Sequence, residues 1–331
     1  MSVTVVVGGF YGDEGKGKII SYMARRDSPE IAVRGGAGPN AGHTIRDAGR
    51  TYKVRMLPCG FLNPGCRVMV GPGVQVDPGV LLSEVDEFGA RGRAFVDRMC
   101  GIITPDHRSR DSGLVSRIGS TGSGTGPANA DRAMRVQGLA RDCAPLDGMA
   151  LDVPAEISSA MRSGGGVLVE GTQGTFLSLW HGTYPHCTSK DVTASAICAD
   201  VGIGPTAVDD VLVVFKSYVT RVGDGDLEGE LDGAESERRG WSERGTVTGR
   251  QRRAAPFDYA LARRAVMLNG ATQASLTKMD VLYPACAGAT SYADLPGEAR
   301  AFVERAESEL GVPVTLIGTG PCVDDVVDRR G

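Results

Sequence analysis

A glycine-rich loop follows the first apolar segment and limits the possible folds more than any other feature of the chain. Residues 3–7, Val-Thr-Val-Val-Val, form a short apolar run that is typical of a buried strand. Residues 8–17 contain five glycines, and apolar residues recur at helical spacing from Ile19 onwards. A strand, a glycine-rich turn and a helix start in this order present backbone N–H groups to a phosphate. The sequence therefore predicts an α/β fold with a phosphate-binding loop near its beginning.

The spacing of this loop departs from two common nucleotide-binding motifs. The pattern G-x-x-x-x-G-K-[ST] fails because Phe10 occupies its first glycine position and Gly17 replaces its hydroxyl residue. The dinucleotide pattern G-x-G-x-x-G fails because Ile20 occupies its last glycine position. A generic glycine turn is the alternative interpretation. The preceding strand and the acidic pair Asp13 and Glu14 favour a modified phosphate loop, since carboxylates beside a phosphate need a cation or a proton between them.

Composition excludes several classes of protein. The chain has 331 residues, of which 41% are hydrophobic and 23% charged, as is usual for globular proteins. Its net charge of −4 argues against a dedicated nucleic-acid-binding protein. We expect no signal peptide and no membrane span, and eight cysteines without a C-x-x-C pair predict free thiols in a cytoplasmic protein without a zinc site. No repeat or composition shift divides the chain, so residues 1–331 are expected to form one domain.

Strand and helix patterns alternate along the chain. Strands are expected at residues 30–34, 51–57, 67–70, 166–170, 211–219, 273–276 and 312–317. Helices are expected at residues 78–88, 154–161, 256–269 and 294–310. Residues 104–128 show neither pattern and are expected to form a long loop. The alternation predicts a single large domain with a mainly parallel central sheet and with long functional loops at the carboxyl ends of its strands.

Five further segments carry residues suited to ligand binding. His43 lies in a glycine-rich segment, where it either contacts a ligand or is an exposed loop histidine. Residues 119–127 alternate glycines with hydroxyls, which suits a phosphate or a flexible linker. The arginines of residues 245–253 suit carboxylates better than nucleic acid because glycines and threonines flank them. Gln173 can recognise a purine edge, and Asp280 can accept the N–H groups of guanine.

Together these segments resemble the motifs of the adenylosuccinate synthetase family. Gly-Asp-Glu-Gly-Lys-Gly-Lys, Asn-Ala-Gly-His-Thr, the glycine–hydroxyl loop, the arginine loop and Thr-Lys-Met-Asp occur in the order of that family, between residues 8 and 321. The resemblance implies a carbon–nitrogen ligase of purine biosynthesis. Such an enzyme phosphorylates the 6-oxygen of a purine nucleotide with a nucleoside triphosphate and Mg²⁺, and L-aspartate then displaces the phosphate. It also implies a homodimer, in which Arg135 reaches the site of the neighbouring subunit.

The resemblance further implies roles for individual residues. Phosphoryl-transfer chemistry would involve Asp13, His43 and Lys16, and Mg²⁺ would bind Asp13 and the backbone of Gly42. The purine nucleotide would contact Asn40, Ser120, Thr121, Arg135, Gln173 and Thr188. L-aspartate would contact Thr248, Arg250 and Arg252. The nucleoside triphosphate would contact Gly12, Gly15, Lys16, Gly17, Lys278, Asp280, Gly318 and Gly320.

The sequence favours one branch of the family over another. The compact length matches archaeal and phage forms, and the pair Phe10 and Tyr11 favours the phage branch, which uses deoxyguanylate to make a precursor of 2-aminoadenine and would act in the host cytoplasm. An ordinary adenylosuccinate synthetase that uses inosinate and GTP is the alternative. Two residues favour that alternative: Asp13 is absent from some phage relatives, and Asp280 suits guanine, whereas the phage enzymes are associated with ATP. A nucleotide-dependent switch and a dinucleotide oxidoreductase are the rival classes, and neither would require L-aspartate.

Overall fold

The computed structural model describes residues 2–245 and 249–330. The strands in these ranges are β1 (Val3–Gly8), β2 (Ile31–Arg34), β3 (His43–Asp47), β4 (Arg50–Val54), β5 (Arg67–Val70), β6 (Gln75–Val76), β7 (Ala94–Asp97), β8 (Gly101–Ile102), β9 (Ala150–Leu151), β10 (Val167–Glu170), β11 (Asp210–Lys216), β12 (Val219–Val222), β13 (Arg252–Ala255), β14 (Gln273–Thr277), β15 (Val314–Gly318) and β16 (Val326–Asp328). The α-helices are α1 (Lys16–Asp27), α2 (Pro78–Glu87), α3 (Pro105–Ser112), α4 (Val115–Ile118), α5 (Thr125–Met134), α6 (Val153–Arg162), α7 (Ala194–Val201), α8 (Gly233–Arg238), α9 (Tyr259–Asn269), α10 (Met279–Leu282) and α11 (Gly297–Leu310).

Ten of these strands form one central sheet, in the order β16-β15-β14-β11-β1-β10-β2-β5-β7-β9. Neighbouring strands are parallel, except that β15 and β16 are antiparallel. The predicted α/β fold with a mainly parallel sheet is therefore confirmed. Because parallel strands point the same way, the loops that follow β1, β2, β10, β11 and β14 meet at one edge of the sheet, where open α/β sheets bind ligands.

Hydrophobic side chains cover both faces of this sheet. In β1, Val3, Val5 and Val7 pack into one hydrophobic cluster together with side chains of α6, α7, α9 and α11. Val6 points to the other face, where it packs with side chains of α1 and α2. Burial on both faces explains why the strand has a continuous apolar sequence rather than an alternating one. Within the described ranges, no helix is both long enough and apolar enough to cross a membrane.

The structure corrects the long loop that we expected at residues 104–128. This segment contains α3, α4 and the start of α5, so that the loop proper is confined to residues 119–124. Thr104 begins α3 by accepting a hydrogen bond from the backbone N–H of His107, and the His107 ring accepts one in return from the backbone N–H of Thr104. The helix has an almost entirely polar sequence, so hydrophobic periodicity gave no sign of it.

A smaller difference concerns one strand. The strand expected at residues 211–219 is divided into β11 and β12, which belong to different sheets. The assignment of residues 1–331 to one domain stays a prediction. All eight cysteines are free thiols in the structure.

Candidate active site

A cleft at the carboxyl edge of the sheet brings together predicted site residues from separate parts of the chain. Its lining includes Gly12, Asp13, Asn40, Gly42, His43, Ser120, Thr121, Gln173, Thr188, Arg250 and Arg252. Other predicted residues lie outside this lining, namely Gly15, Lys16, Gly17, Arg135, Lys278, Asp280, Gly318 and Gly320. Thr248 falls outside the described residues. The structure thus gathers most of the residues predicted for the purine nucleotide and for L-aspartate at one place, with Arg135 as the exception among those that it describes.

The two acidic residues of the first loop have different environments. Glu14 is only 1% exposed, and it accepts hydrogen bonds from the backbone N–H groups of Phe10 (2.9 Å) and Gly12 (2.8 Å) and from Lys16 Nζ (3.0 Å). Glu14 therefore holds the loop in shape and uses two amides that could otherwise bind an anion. Asp13 instead faces the cleft.

The two lysines of this loop bind protein oxygens rather than pointing into the cleft. Lys16 Nζ donates to the backbone carbonyl of Gln173 as well as to Glu14. Lys18 Nζ donates to the carbonyls of Gly320 and Asp325, both at 2.6 Å. Burial of the Lys18 ammonium lowers its pKa to about 8, although Asp325 opposes that shift. The loop that follows β15 is thus fastened to the start of α1.

Asp13 has the electrostatic environment of a candidate general base. Its Oδ1 lies 2.8 Å from Arg252 Nη2, and its Oδ2 lies 3.5 Å from the Thr220 hydroxyl. Burial raises the pKa of Asp13, while Arg252 and Lys216 oppose the shift. A carboxylate whose pKa is raised is a stronger base than an ordinary aspartate.

His43 is the first residue of β3 and is only 6% exposed, which excludes the alternative of an exposed loop histidine. Its Nδ1 lies 2.9 Å from Glu170 Oε1 and 3.1 Å from Cys59 Sγ. Burial lowers the pKa of His43, and Glu170 opposes the shift. When Nδ1 carries the proton that Glu170 accepts, Nε2 is the ring nitrogen left for a ligand in the cleft.

Sequence reasoning missed the charged pair behind His43. Glu170 and Arg34 are fully buried, lie opposite each other at the ends of β10 and β2, and approach to 3.6 Å. Burial alone would raise the pKa of Glu170, but His43 and Arg34 together hold it below its ordinary value. His43, Cys59 and Glu170 place ligand atoms within 4.8 Å of one another, yet the guanidinium already neutralises Glu170 and disfavours a metal ion there. The sequence contained one sign of this pair, because Arg34 and Glu170 are oppositely charged and each ends an apolar strand.

Asn40, Gln173 and Thr188 are three further residues of the cleft lining. Asn40 Nδ2 donates to Thr188 Oγ1 at 3.1 Å, so these two predicted nucleotide contacts touch each other. Gln173 is 8% exposed, has a φ of 52° and accepts a hydrogen bond from the hydroxyl of Thr172. Its buried Nε2 has no hydrogen-bond partner among the residues that the structure describes. An amide donor in this state is available to an acceptor atom of a purine.

A buried aspartate organises the glycine–hydroxyl loop. Asp111 of α3 accepts hydrogen bonds from the Ser120 hydroxyl (2.6 Å) and from the backbone N–H of Gly124 (2.8 Å). Thr121 Oγ1 lies 2.7 Å from Ser123 Oγ. The Ser120 hydroxyl therefore donates within the loop, and Ser120, Thr121 and Ser123 all line the cleft. Asp111 was missed because its segment was expected to be a loop.

The two predicted arginines make contacts in different directions. Arg250 Nη2 donates to the carbonyl of Gly119 at 2.7 Å, which joins the arginine loop to the glycine–hydroxyl loop. Arg252 contacts Asp13 on one side and the carboxylate of Glu243 on the other. Both guanidinium groups line the cleft, where forked donors can bind carboxylates.

The residues predicted for the base of the triphosphate lie at the ends of β14 and β15, which are adjacent strands. Asp280 is in the first turn of α10, and its buried Oδ1 has no hydrogen-bond partner among residues 2–245 and 249–330. Lys278 precedes that helix in a left-handed conformation, with a φ of 61°. An unpaired carboxylate oxygen suits the N–H donors of guanine, since leaving it unpaired is costly.

Comparison with known proteins decides the family. The model of the family described as "Adenylosuccinate synthetase" matches residues 5–145 and 136–285. The chain belongs to the adenylosuccinate synthetase family. An archaeal relative, the adenylosuccinate synthetase of Thermococcus onnurineus, is 51% identical over 98% of this chain and 98% of its own.

Two solved structures of the same family resemble the fold. The fully ligated adenylosuccinate synthetase of Plasmodium falciparum has a TM-score of 0.92 and 23% identity, and the alignment covers 100% of both chains. The succinoaminodeoxyadenylate synthetase (PurZ) of cyanophage S-2L, bound to dGMP and to dATP as an energy donor, has a TM-score of 0.84 and 27% identity, with 100% of this chain and 96% of that chain covered.

Family membership makes the protein a carbon–nitrogen ligase of purine biosynthesis that uses small-molecule substrates, Mg²⁺ and a nucleoside triphosphate. It confirms the predicted family and the predicted class of enzyme. The archaeal relative at 51% identity carries the ordinary name, whereas the phage enzyme is only 27% identical. The comparisons therefore favour the alternative of an ordinary adenylosuccinate synthetase, and the preference for the phage branch gains no support from them.

Proposed function

We propose that the protein condenses L-aspartate with inosinate to form adenylosuccinate, with GTP as the phosphate donor. The observation that carries this proposal is the cleft in which Asp13 and His43 lie beside the buried, unpaired amide of Gln173, in a chain that is 51% identical to an ordinary adenylosuccinate synthetase. The free Oδ1 of Asp280 supports GTP, because guanine offers two N–H donors where adenine offers none in that arrangement. The cytoplasmic location expected from the sequence stays a prediction.

Asp13 and His43 divide the work of phosphoryl transfer in this proposal. Asp13 takes the N1 proton of the purine, so that O6 becomes nucleophilic and attacks the γ-phosphorus. At the same time the bond between that phosphorus and the oxygen that bridges the β- and γ-phosphates breaks. His43 donates a hydrogen bond from Nε2 to the phosphoryl oxygens, which requires an imidazolium because Nδ1 donates to Glu170. Glu170 favours that charged form against the effect of burial, which lowers the pKa of His43. The amine of L-aspartate then bonds to C6, and phosphate leaves with the former O6. Lys16 acts indirectly, because its ammonium holds Glu14 and Gln173 in place.

The donor atoms beside the first loop fit Mg²⁺. The Asp13 carboxylate and the backbone carbonyl of Gly42 are oxygen ligands, which this hard cation prefers, and both residues line the cleft. The bound ion supplies positive charge to the triphosphate.

The remaining contacts follow the arrangement of the cleft. The purine nucleotide binds Asn40, Ser120, Thr121, Gln173 and Thr188, and Arg135 is supplied by a second subunit. L-aspartate binds Arg250 and Arg252 together with Thr248. The triphosphate binds at the first loop, through Gly12, Gly15 and Gly17, and at the base site, through Lys278, Asp280, Gly318 and Gly320. Support for these assignments comes from the common edge of the sheet at which the segments lie.

A homodimer completes the proposal. Arg135 is exposed at the end of α5 and lies outside the cleft lining, which favours a role toward the nucleotide of a second chain. Its neighbours Met134 and Val136 are 73% and 72% exposed. Exposed apolar side chains on both sides of an arginine favour a protein interface, and a second copy of this chain would bury them.

Deoxyguanylate is the second candidate substrate, favoured by the likeness to the cyanophage enzyme that was solved with dGMP. The unusual Phe10 does not strengthen it, because this side chain is 1% exposed and packs edge-on against Phe215 and Phe257 in the core. Only Tyr11 of the divergent pair lines the cleft.

A phosphate-release assay tests the proposal. Inosinate, guanylate and deoxyguanylate are crossed with GTP and ATP, each with and without L-aspartate. We expect release that depends on L-aspartate, with inosinate and GTP preferred by at least about tenfold in kcat/KM, which corresponds to about 1.4 kcal/mol. Faster turnover of deoxyguanylate would establish the phage-type activity instead. Release that L-aspartate does not affect would indicate a nucleotide switch.

A further inference from the structure

One partly buried carboxylate, Glu243, whose side chain is 14% exposed, touches residues of two proposed substrate sites. Its Oε2 contacts Arg252 Nη1, on the side of L-aspartate, and its Oε1 lies 3.5 Å from Lys278 Nζ, on the side of the triphosphate. Glu243 itself is absent from the cleft lining, and no sequence motif singled it out. We infer that Glu243 is a positioning residue that couples L-aspartate binding to triphosphate binding. The inference rests on the proposed function, because it takes the roles of Arg252 and Lys278 from there.

Two buried residues, Lys216 and Tyr218, contact the Glu243 carboxylate. Lys216 Nζ lies 3.1 Å from Oε2, and the Tyr218 hydroxyl donates to Oε1 at 2.5 Å. The Lys216 side chain is 1% exposed, and the ring of Tyr218 stacks on Trp241 with 4.6 Å between centroids. Burial alone would raise the pKa of Glu243, but Lys216 and the other two cations hold it well below its usual range. The carboxylate is therefore charged, and its contacts with Lys216 and Tyr218 fix its position.

The backbone strengthens the link to the arginine loop. The N–H of Arg252 donates to the carbonyl of Glu243 at 2.9 Å, and the N–H of Gly245 donates to the carbonyl of Arg250 at 2.9 Å. Glu243 thus stands at the base of the loop that carries both arginines. On the other side, Lys278 begins α10, the helix that carries Asp280.

Shared contacts of this kind produce coupling between ligands. When a substrate carboxylate pairs with Arg252, the attraction between Arg252 and Glu243 weakens. Glu243 then interacts more strongly with its remaining cations, including Lys278. The helix that contacts the triphosphate base is then held more firmly, so each ligand favours the binding of the other. Thermodynamic linkage requires the same factor in both directions.

The test compares two glutamate-to-glutamine variants that differ in what the carboxylate touches. Glu243→Gln keeps the shape of the side chain but loses the charge. Glu230→Gln is the matched control, because Glu230 pairs at 2.9 Å with Arg253, the neighbour of Arg252, away from both substrate sites. The KM for L-aspartate is measured at low and at saturating triphosphate, together with the KM values for the triphosphate and the purine nucleotide and with kcat.

We expect saturating triphosphate to lower the KM for L-aspartate by about fivefold in the wild-type enzyme and in Glu230→Gln. In Glu243→Gln the ratio of the KM for L-aspartate at low triphosphate to the KM at saturating triphosphate should fall to about one. The KM values for L-aspartate and triphosphate should both rise by about tenfold. The KM for the purine nucleotide should change by less than about twofold. The inference would be overturned if this ratio persists in Glu243→Gln. It would also be overturned if all three KM values rise by the same factor and kcat falls by that factor. Wild-type enzyme without ligase activity would instead refute the proposed function.

A second variant protects the test against misfolding. Glu243→Gln leaves the Lys216 ammonium buried with less compensation, which is destabilising. The double variant Lys216→Met, Glu243→Gln removes the cation and its counter-charge together, and thermal unfolding shows whether it is folded. If it is, the same loss of the ratio supports the coupling role, and retention of the ratio contradicts it. Tyr218→Phe removes one hydrogen bond from Glu243 and should reduce the ratio only partly.

Discussion

Asp13 and Glu14 are neighbours in the sequence, but hydrogen bonding gives their carboxylates separate tasks. Glu14 is satisfied inside the loop by two backbone amides and by Lys16. Asp13 faces the cleft, where burial raises its pKa and Arg252 limits the shift. Replacing Glu14 should therefore reduce stability, because two loop amides lose their acceptor, whereas replacing Asp13 should affect chemistry.

The first prediction concerns Asp13→Asn, which keeps the shape of the side chain but cannot accept a proton. We expect triphosphate binding to be retained and kcat to fall by about a hundredfold or more, the usual contribution of a general base. In the wild-type enzyme, activity should decline as pH falls through the raised pKa of Asp13, because the protonated carboxyl is no base. Measured pH–rate profiles should place this decline above the ordinary aspartate range. Near-normal turnover in Asp13→Asn would assign proton abstraction to another group.

The second prediction concerns His43→Ala. Because the proposed hydrogen bond from His43 strengthens as phosphoryl transfer proceeds, kcat should fall by about a hundredfold while the substrate KM values change by less than about threefold. His181→Ala is the control, since His181 is exposed and lies outside the cleft lining, and its kinetics should match the wild-type enzyme. A rise in KM without a loss of kcat would mean that His43 contributes only to substrate binding.

At the scale of elements, Lys18 fastens the start of α1 to the loop after β15 through the carbonyls of Gly320 and Asp325. Burial lowers its pKa from 10.5 to about 8. Between about pH 8 and 10.5 the unfolded chain therefore holds a proton on Lys18 that the folded chain has released. The contribution of Lys18 to the free energy of unfolding must then rise with pH across this window.

The third prediction is that this rise disappears in Lys18→Met. Chemical denaturation at several pH values should show the wild-type protein gaining up to about 3 kcal/mol relative to Lys18→Met between pH 8 and 10.5. Lys53→Met replaces an exposed lysine and is the control, for which the difference from wild type should stay constant. A constant difference for Lys18→Met as well would show that the Lys18 ammonium is not buried in solution.

The same elements show what the sequence could and could not predict. β1 and β10 were predicted because strands buried on both faces have continuous apolar sequences. α3 was missed because its stability comes from a capping box and from contacts with α5 rather than from an apolar face. The pairing of Glu170 with Arg34 was missed because it depends on the order and register of strands that are 136 positions apart in the chain. Local patterns carry no information about such long-range contacts.

At the scale of the molecule, the parallel sheet explains why motifs from distant parts of the chain meet. β1, β10 and β2 are adjacent, so the loops that carry Asp13, Gln173 and His43 emerge side by side. Arg135 is the exception among the proposed nucleotide contacts, since it is exposed outside the cleft and lies between the exposed Met134 and Val136. This arrangement suggests that a complete site requires two chains.

The last prediction tests that requirement by mixing two inactive proteins. Arg135→Leu should lose activity because no subunit can supply the arginine, and Asp13→Ala should lose it because the base is absent. After subunit exchange, a hybrid dimer contains one site with Asp13 from one chain and Arg135 from the other. Since half of randomly formed dimers are hybrids and each has one intact site of two, about a quarter of wild-type activity should return. Analytical ultracentrifugation and a tagged subunit verify dimer formation and exchange. Continued inactivity after complete exchange would show that each chain forms its site alone and would remove Arg135 from the nucleotide site.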